Sequence, residues 1–243
     1  MAAKTQIEIG EARNAANVAR PTELPAGIVR LWWLRLDSSQ ADVNACYEWL
    51  SSKERDRTER FKIERSRTAF VLTRGTLRSL LAQYLGKKPE ELRFGYESWG
   101  KPFLEGESSL RFNVSHTDGL ALIGVVKERN IGVDVEKVKT ETEVARLAER
   151  FFSRRENDDL KGLQGDELRA AFFRCWTRKE AYIKARGEGL SLPLHQFDVS
   201  VARDERKALL ATRPDALEAD RWILRDVPVR TGYMAAVAVE ENE

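Results

Sequence analysis

The chain has 243 residues, 42% of them hydrophobic and 33% charged, and its 41 basic and 39 acidic side chains leave a formal net charge of +2. That length suffices for one large domain or two small ones, and the near-even balance excludes the global field of a general nucleic-acid binder, so any anion site must be local. Two cysteines without a CxxC pair and two histidines argue against zinc, and no apolar run reaches the roughly 18 residues of a membrane span. With no apolar leader at the N-terminus, the expected setting is a reducing cytoplasm.

In chain order, residues 1–27 are polar and Ala-rich, end in Pro21 and Pro25, and read as a poorly ordered extension. IVRLWWLRL (28–36) reads as a first strand. From Asn44 to Leu85 the apolar period is helical: Phe70, Leu77, Leu81 and Tyr84 recur at three- and four-residue steps, and Gly86 supplies a stop. A Gly- and Ser-rich loop (96–109) leads to three strand-like runs, RFNVSH, LALIGVV and IGVDVE. Helices are expected near 140–151 and 165–186, with Ser153 and Glu156 of SRRE as a capping box. RWILRDV (221–227) and YMAAVAVE (233–240) close the chain as strands. The order predicts an α+β protein of two halves, 28–129 and 130–243. Element order alone suggests a structural repeat.

The stretch FFRCWTRKEAYIKAR (172–186) sets Glu180 among Arg174, Arg178, Lys179, Lys184 and Arg186. On a helix Trp176, Glu180 and Lys184 share one side, while Phe172, Phe173 and Ile183 form an apolar flank. Either this is a surface ion-pair ladder, or Glu180 is a carboxylate held in a basic anion site. In GVDVE, Asp134 and Glu136 project from one strand face while Val133 and Val135 point to the core. That face is either an ordinary polar one, or it binds a hard divalent cation such as Mg²⁺ with Glu180 as third ligand. Ser115 and His116 are neighbours facing opposite ways, so they are poorly placed as nucleophile and base. They suit a phosphate at a strand end, though His116 also reads as a turn residue. WGKP could hold Lys101 against a phosphate, or be an ordinary turn. Cys175 reads as a buried structural thiol.

Taken together, WGKP, FNVSH, IGVDVE and W-x-x-K-E-A-Y-I-K resemble the 4′-phosphopantetheinyl transferases of the larger, surfactin-synthetase-activating type. RFFSRREND (150–158), GEGLSLPLHQF (187–197) and GYMAAVAV (232–239) are also similar, and the resemblance covers roughly residues 50–240. It implies a monomer of two similar α+β halves related by a pseudo-twofold, with coenzyme A and Mg²⁺ at their interface. The reaction implied is transfer of the 4′-phosphopantetheine arm of coenzyme A to a serine of an apo carrier protein, releasing 3′,5′-ADP. Implied partners are acyl or peptidyl carriers of fatty-acid, polyketide, nonribosomal-peptide or glycolipid synthases, with neither nucleic acid nor membrane. The metal ligands carried over are Asp134, Glu136 and Glu180, with Glu180, Lys184 and Asp134 as catalytic residues. The coenzyme A contacts carried over are Arg57, Arg67, Arg74, Lys101, Pro102, Ser115, His116, Asp134, Lys179 and Lys184. The turn after His116 is one residue longer than the family's common one. The rival readings are a metal-dependent phosphodiesterase and a catalytically silent coenzyme A or nucleotide-binding module.

Overall fold

A computed structural model of the chain describes residues 5–12, 23–106, 109–203, 205 and 207–241. Strand β1 (Gln6–Ala12) runs parallel to β2 (Ile28–Arg35). This corrects the expected extension: residues 6–12 are sheet, while residues 1–4 and 13–22 lie outside the described residues. The single helical stretch expected over 44–85 is three helices, α1 (Gln40–Glu48), α2 (Ser52–Glu59) and α3 (Glu64–Leu85). Ser39 and Ser51 break it by accepting from the backbone N–H groups of Asp42 and Glu54, three residues on, which caps α1 and α2. Gly86, in the left-handed region, ends α3 as expected. The short pair β3 (Phe94–Tyr96) and β4 (Pro102–Leu104) occupies the segment read as a loop. It is followed by β5 (Leu110–Thr117) and β6 (Leu120–Lys127), giving a sheet ordered β1-β2-β6-β5.

The second half begins with β7 (Ile131–Lys137), then α4 (Val144–Phe151), α5 (Arg154–Leu160) and the long helix α6 (Gly165–Arg186). The SRRE capping box forms at the start of α5. A two-stranded β8 (Phe197–Val199) and β9 (Leu209–Thr212) precede β10 (Trp222–Asp226) and β11 (Tyr233–Glu240). The second main sheet is ordered β10-β11-β7.

Each half packs its long helix over its own sheet, and a third core lies between the sheets. Val29, Leu31, Leu120, Leu122 and Val126 of one sheet meet Ile131, Val133, Val135, Val237 and Val239 of the other. Where β5 meets β7, side chains replace a backbone ladder. Asn113 Oδ1 accepts from Val133 N–H at 2.9 Å, Ser115 Oγ from Val135 N–H at 3.4 Å, and Thr117 Oγ1 from Lys137 N–H at 3.4 Å. The period-two pattern N-x-S-x-T thus satisfies the N–H groups of the strand across the seam.

Candidate active site

The seam delivers β7's carboxylates to a cleft. Val133 and Val135 are buried in the core between the sheets, so Asp134 and Glu136 must face the other way. Helix α6 lies over that side of β7 at unusually close range. A Cβ on Gly132 would stand 2.1 Å from the carbonyl oxygen of Ala181 and 2.2 Å from the nitrogen of Ala185. Only glycine admits this approach. It brings Lys184 Nζ to 2.6 Å from Asp134 Oδ1 and 3.0 Å from Ser115 Oγ, and Ser115 donates to Asp134 Oδ1 at 2.8 Å. Ser115, His116, Asp134, Glu136, Trp176, Glu180 and Lys184 line one cavity of about 720 Å³. Trp176, Glu180 and Lys184 therefore share a side, as their four-residue spacing predicts.

The electrostatics of this wall are unbalanced. Burial pushes the Glu180 carboxyl above the usual carboxylate range; Lys184 opposes this, while Asp134 and Glu136 reinforce it. Glu136 is likewise raised by burial and by Asp134, against a hydrogen bond from Thr117. Asp134 is 3% exposed, and its Oδ2 is a buried oxygen without a hydrogen-bond partner. An orphaned carboxylate oxygen beside two repelling carboxyl groups suits a hard divalent cation. Among the described residues no three His, Cys, Asp or Glu side chains already stand as a ready-made ligand set. The positive charge at Asp134 is Lys184's own.

A second cavity, of about 760 Å³, shares His116 and adds Arg57, Arg65, Phe70 and Lys139. Arg57 lies over the Phe70 ring, 4.8 Å from its centroid. His116 is held below its usual range by burial and by the charges of Lys184 and Arg57. A third cavity, of about 290 Å³, is walled by Glu180, Lys184, Lys101 and Pro102. Lys101 Nζ donates to Ala185 O in the last turn of α6 at 3.1 Å, and burial brings its pKa down to about 8.

Several basic residues go elsewhere. Lys179, expected at coenzyme A, is fully buried: its Nζ lies 2.7 Å from Glu156 and donates to the carbonyls of Leu194 and Phe197. Its three N–H bonds are spent, so the expected contact is corrected to a structural one. Arg74 is also corrected. Its Nε meets Glu54 at 2.5 Å and its Nη2 the Tyr96 hydroxyl at 2.8 Å, in a buried cluster completed by Arg78. Arg67 is on the outer face of α3, paired with Glu64 at 3.1 Å, and lines none of the three cavities. Arg178 is buried against Asp226, and Cys175 is fully buried with its thiol pushed up by burial.

Arg150, Phe151, Leu192 and His195 also line the carboxylate cavity, and the sequence reading gave none of them a role. Both histidines of the chain therefore meet at this cavity. The segments RFF and GLSLPLH carried the signal, but only as parts of a resemblance.

Residues 130–238 match the model of the 4′-phosphopantetheinyl transferase superfamily, and residues 35–127 match that of the 4′-phosphopantetheinyl transferase N-terminal region. The chain is 39% identical over 215 residues to the 4′-phosphopantetheinyl transferase HetI of a Nostoc species, covering 87% of each chain. It is 31% identical over 199 residues to the 4′-phosphopantetheinyl transferase Sfp of Bacillus subtilis, covering 82% of this chain and 86% of that one. To the L-aminoadipate-semialdehyde dehydrogenase-phosphopantetheinyl transferase of Xenopus laevis it is 28% identical over 218 residues, covering 84% and 72%. The chain belongs to the 4′-phosphopantetheinyl transferase superfamily, in its two-half, Sfp-like form. It is an enzyme that transfers phosphopantetheine to carrier proteins. No helix among the described residues is long and apolar enough to cross a membrane.

Proposed function

We propose that the donor is coenzyme A and that the reaction is centred on the wall formed by Asp134, Glu136, Glu180 and Lys184. The observation that carries this is the convergence of three carboxylates and one ammonium on a single cavity that shares His116 with an arginine-bearing neighbour. Arg57 and His116 are placed to receive a phosphate of the nucleotide end, and Lys101 to meet a phosphate on the other side of Lys184.

Asp134, Glu136 and Glu180 are the residues that would hold Mg²⁺. Bound there, the ion would polarise the pyrophosphate oxygens and neutralise the leaving 3′,5′-ADP. The protein's own groups supply the rest. The serine Oγ of the carrier attacks the β-phosphorus, and the bond from that phosphorus to the bridging oxygen of the α-phosphate breaks. Glu180 faces the cavity beside Lys184 and is placed to take the serine proton. Lys184 faces the same space and offsets charge on the phosphates. Trp176, Phe151 and Leu192 line the cavity with apolar surface and Arg150 adds a cation, a combination suited to an acidic carrier. The carriers are those of fatty-acid, polyketide, peptide or glycolipid synthases, the enzyme acts as a monomer, and its setting is cytoplasmic.

The test is incubation of the chain with coenzyme A, Mg²⁺ and a panel of apo carriers, read by intact mass. The expected result is one phosphopantetheine added to at least one carrier and none to the enzyme. Modification of the enzyme itself would overturn direct transfer. No modified carrier anywhere in the panel would overturn the assignment of coenzyme A as donor.

A further inference from the structure

Asp118 sits on the turn between β5 and β6, where Gly119 takes a φ of +84°. The Tyr233 hydroxyl of β11 donates to its carbonyl oxygen at 2.9 Å, which fastens the turn to the second half. Its side chain lines the cavity that holds Arg57, His116 and Lys139. Two cations hold the carboxylate: Lys137 Nζ lies 2.8 Å from Oδ2, and Arg65, on the first turn of α3, pairs with Oδ1. The partners differ in exposure, Arg65 being 72% exposed and Asp118 28%. Arg65 lines the same cavity, so one of the cavity's cations is held by an anion of the protein itself.

We infer that Asp118 is an internal competitor for Arg65: it holds the guanidinium until a phosphomonoester dianion entering the cavity takes its place. The inference rests on the proposal that the nucleotide end of the donor, with its 3′-phosphate, binds in this cavity. An arginine–carboxylate pair so open to water is weak, because solvent screens it and the long side chain loses freedom. A phosphate dianion offers the guanidinium two charge-assisted hydrogen bonds to a doubly charged group, which favours exchange. Lys137 stays on Oδ2, so Asp118 is not left as a bare carboxylate when Arg65 departs. A ligand without that phosphate gives Arg65 no reason to leave. Asp118 therefore lowers affinity for a ligand whose phosphate engages Arg65, and so favours release of the nucleotide product.

The test is calorimetric binding of 3′,5′-ADP, which needs neither carrier nor turnover, to wild type, Asp118→Asn, Arg65→Ala and the double variant. Asparagine keeps the turn and the carbonyl that Tyr233 holds, and thermal unfolding checks each variant's fold. Asp118→Asn should bind about 3- to 10-fold tighter and Arg65→Ala roughly 10-fold weaker, and the effect of Asp118→Asn should vanish in the Arg65→Ala background. Binding of 5′-AMP should change in none of the three. Unchanged or weaker binding by Asp118→Asn overturns the inference. So does a gain that persists without Arg65, because that would be a long-range effect of charge. If wild type binds neither coenzyme A nor 3′,5′-ADP, the cavity assignment itself fails; if it binds both and the variants do not differ, only the competition fails.

Discussion

Lys179 and Lys184 are one residue type on one helix, and their surroundings give them different work. Lys179 faces Glu156, with both side chains at 0% exposure, whereas Lys184 is 29% exposed and opens onto the cleft. Breaking the buried pair should cost about 3–5 kcal/mol, because Glu156 would keep an uncompensated charge away from water. Lys179→Met is therefore expected to unfold at much lower temperature than wild type, and Lys179→Met with Glu156→Gln to recover much of the loss. Equal destabilisation of single and double variants would show that the charges are not coupled. Glu180 gives the opposite expectation. Its carboxyl is raised by burial and repelled by Asp134 and Glu136, so Glu180→Gln should abolish transfer while leaving the unfolding temperature unchanged or higher, by the order of 1 kcal/mol. Retained transfer, or loss of the fold, would sink the role given to Glu180. Strand and helix periods put Asp134 with Glu136 on one face and Glu180 with Lys184 on another, and the family resemblance chose between the readings those faces leave open. The structural roles of Lys179 and Arg74 are not legible in the sequence, because their partners, Glu156 and Glu54, lie 23 and 20 residues away and leave no local signal.

At the scale of elements, α6 and β7 are legible as helix and strand, but their separation is not. It follows from Gly132, whose missing side chain lets the Ala181–Ala185 backbone close on the strand. The seam is likewise hidden: Asn113, Ser115 and Thr117 look like a polar strand face until β7 is laid beside them. Lys101 ties the segment before β4 to the end of α6, and this link carries a pH signature. Its pKa is about 8 in the folded chain against an ordinary 10.5. Between those values the unfolded chain binds the proton and the folded chain does not, so this residue's contribution to stability rises with pH across that window. Thermal unfolding at pH 7 to 10 should show a rise in wild type, relative to Lys101→Met, that begins near pH 8. Parallel curves for the two proteins would mean that Lys101 is not buried as a charge.

Over the whole molecule, the strand order separates what stabilises the protein from what it does. β1 is at one edge of the first sheet, and β5, with Ser115 and His116, is at the other. The extension expected over residues 1–27 hid β1 because QIEIGEA is short and polar, and among the described residues β2 alone supplies its partner. In place, β1 lays Gly10 over Trp32, where a Cβ would come within 2.7 Å of the ring. It pairs Glu8 with Arg30 at 2.9 Å, and just before it the Thr5 hydroxyl accepts from Arg129 Nη1 at 2.8 Å, close to the crossing between halves. Ile7 packs against the core that joins the two sheets. Deleting residues 1–12 should remove on the order of 1–2 kcal/mol of such contacts, which for a chain of this size lowers the unfolding temperature by roughly 2–8 °C. It should also bare the edge of β2 and increase association at high concentration. Transfer should be unaffected below the new transition, with kcat/KM for coenzyme A and for carrier within about twofold of wild type. A large loss of kcat/KM at temperatures where the truncated chain is folded would mean that the far edge of the sheet sets the geometry of the cleft.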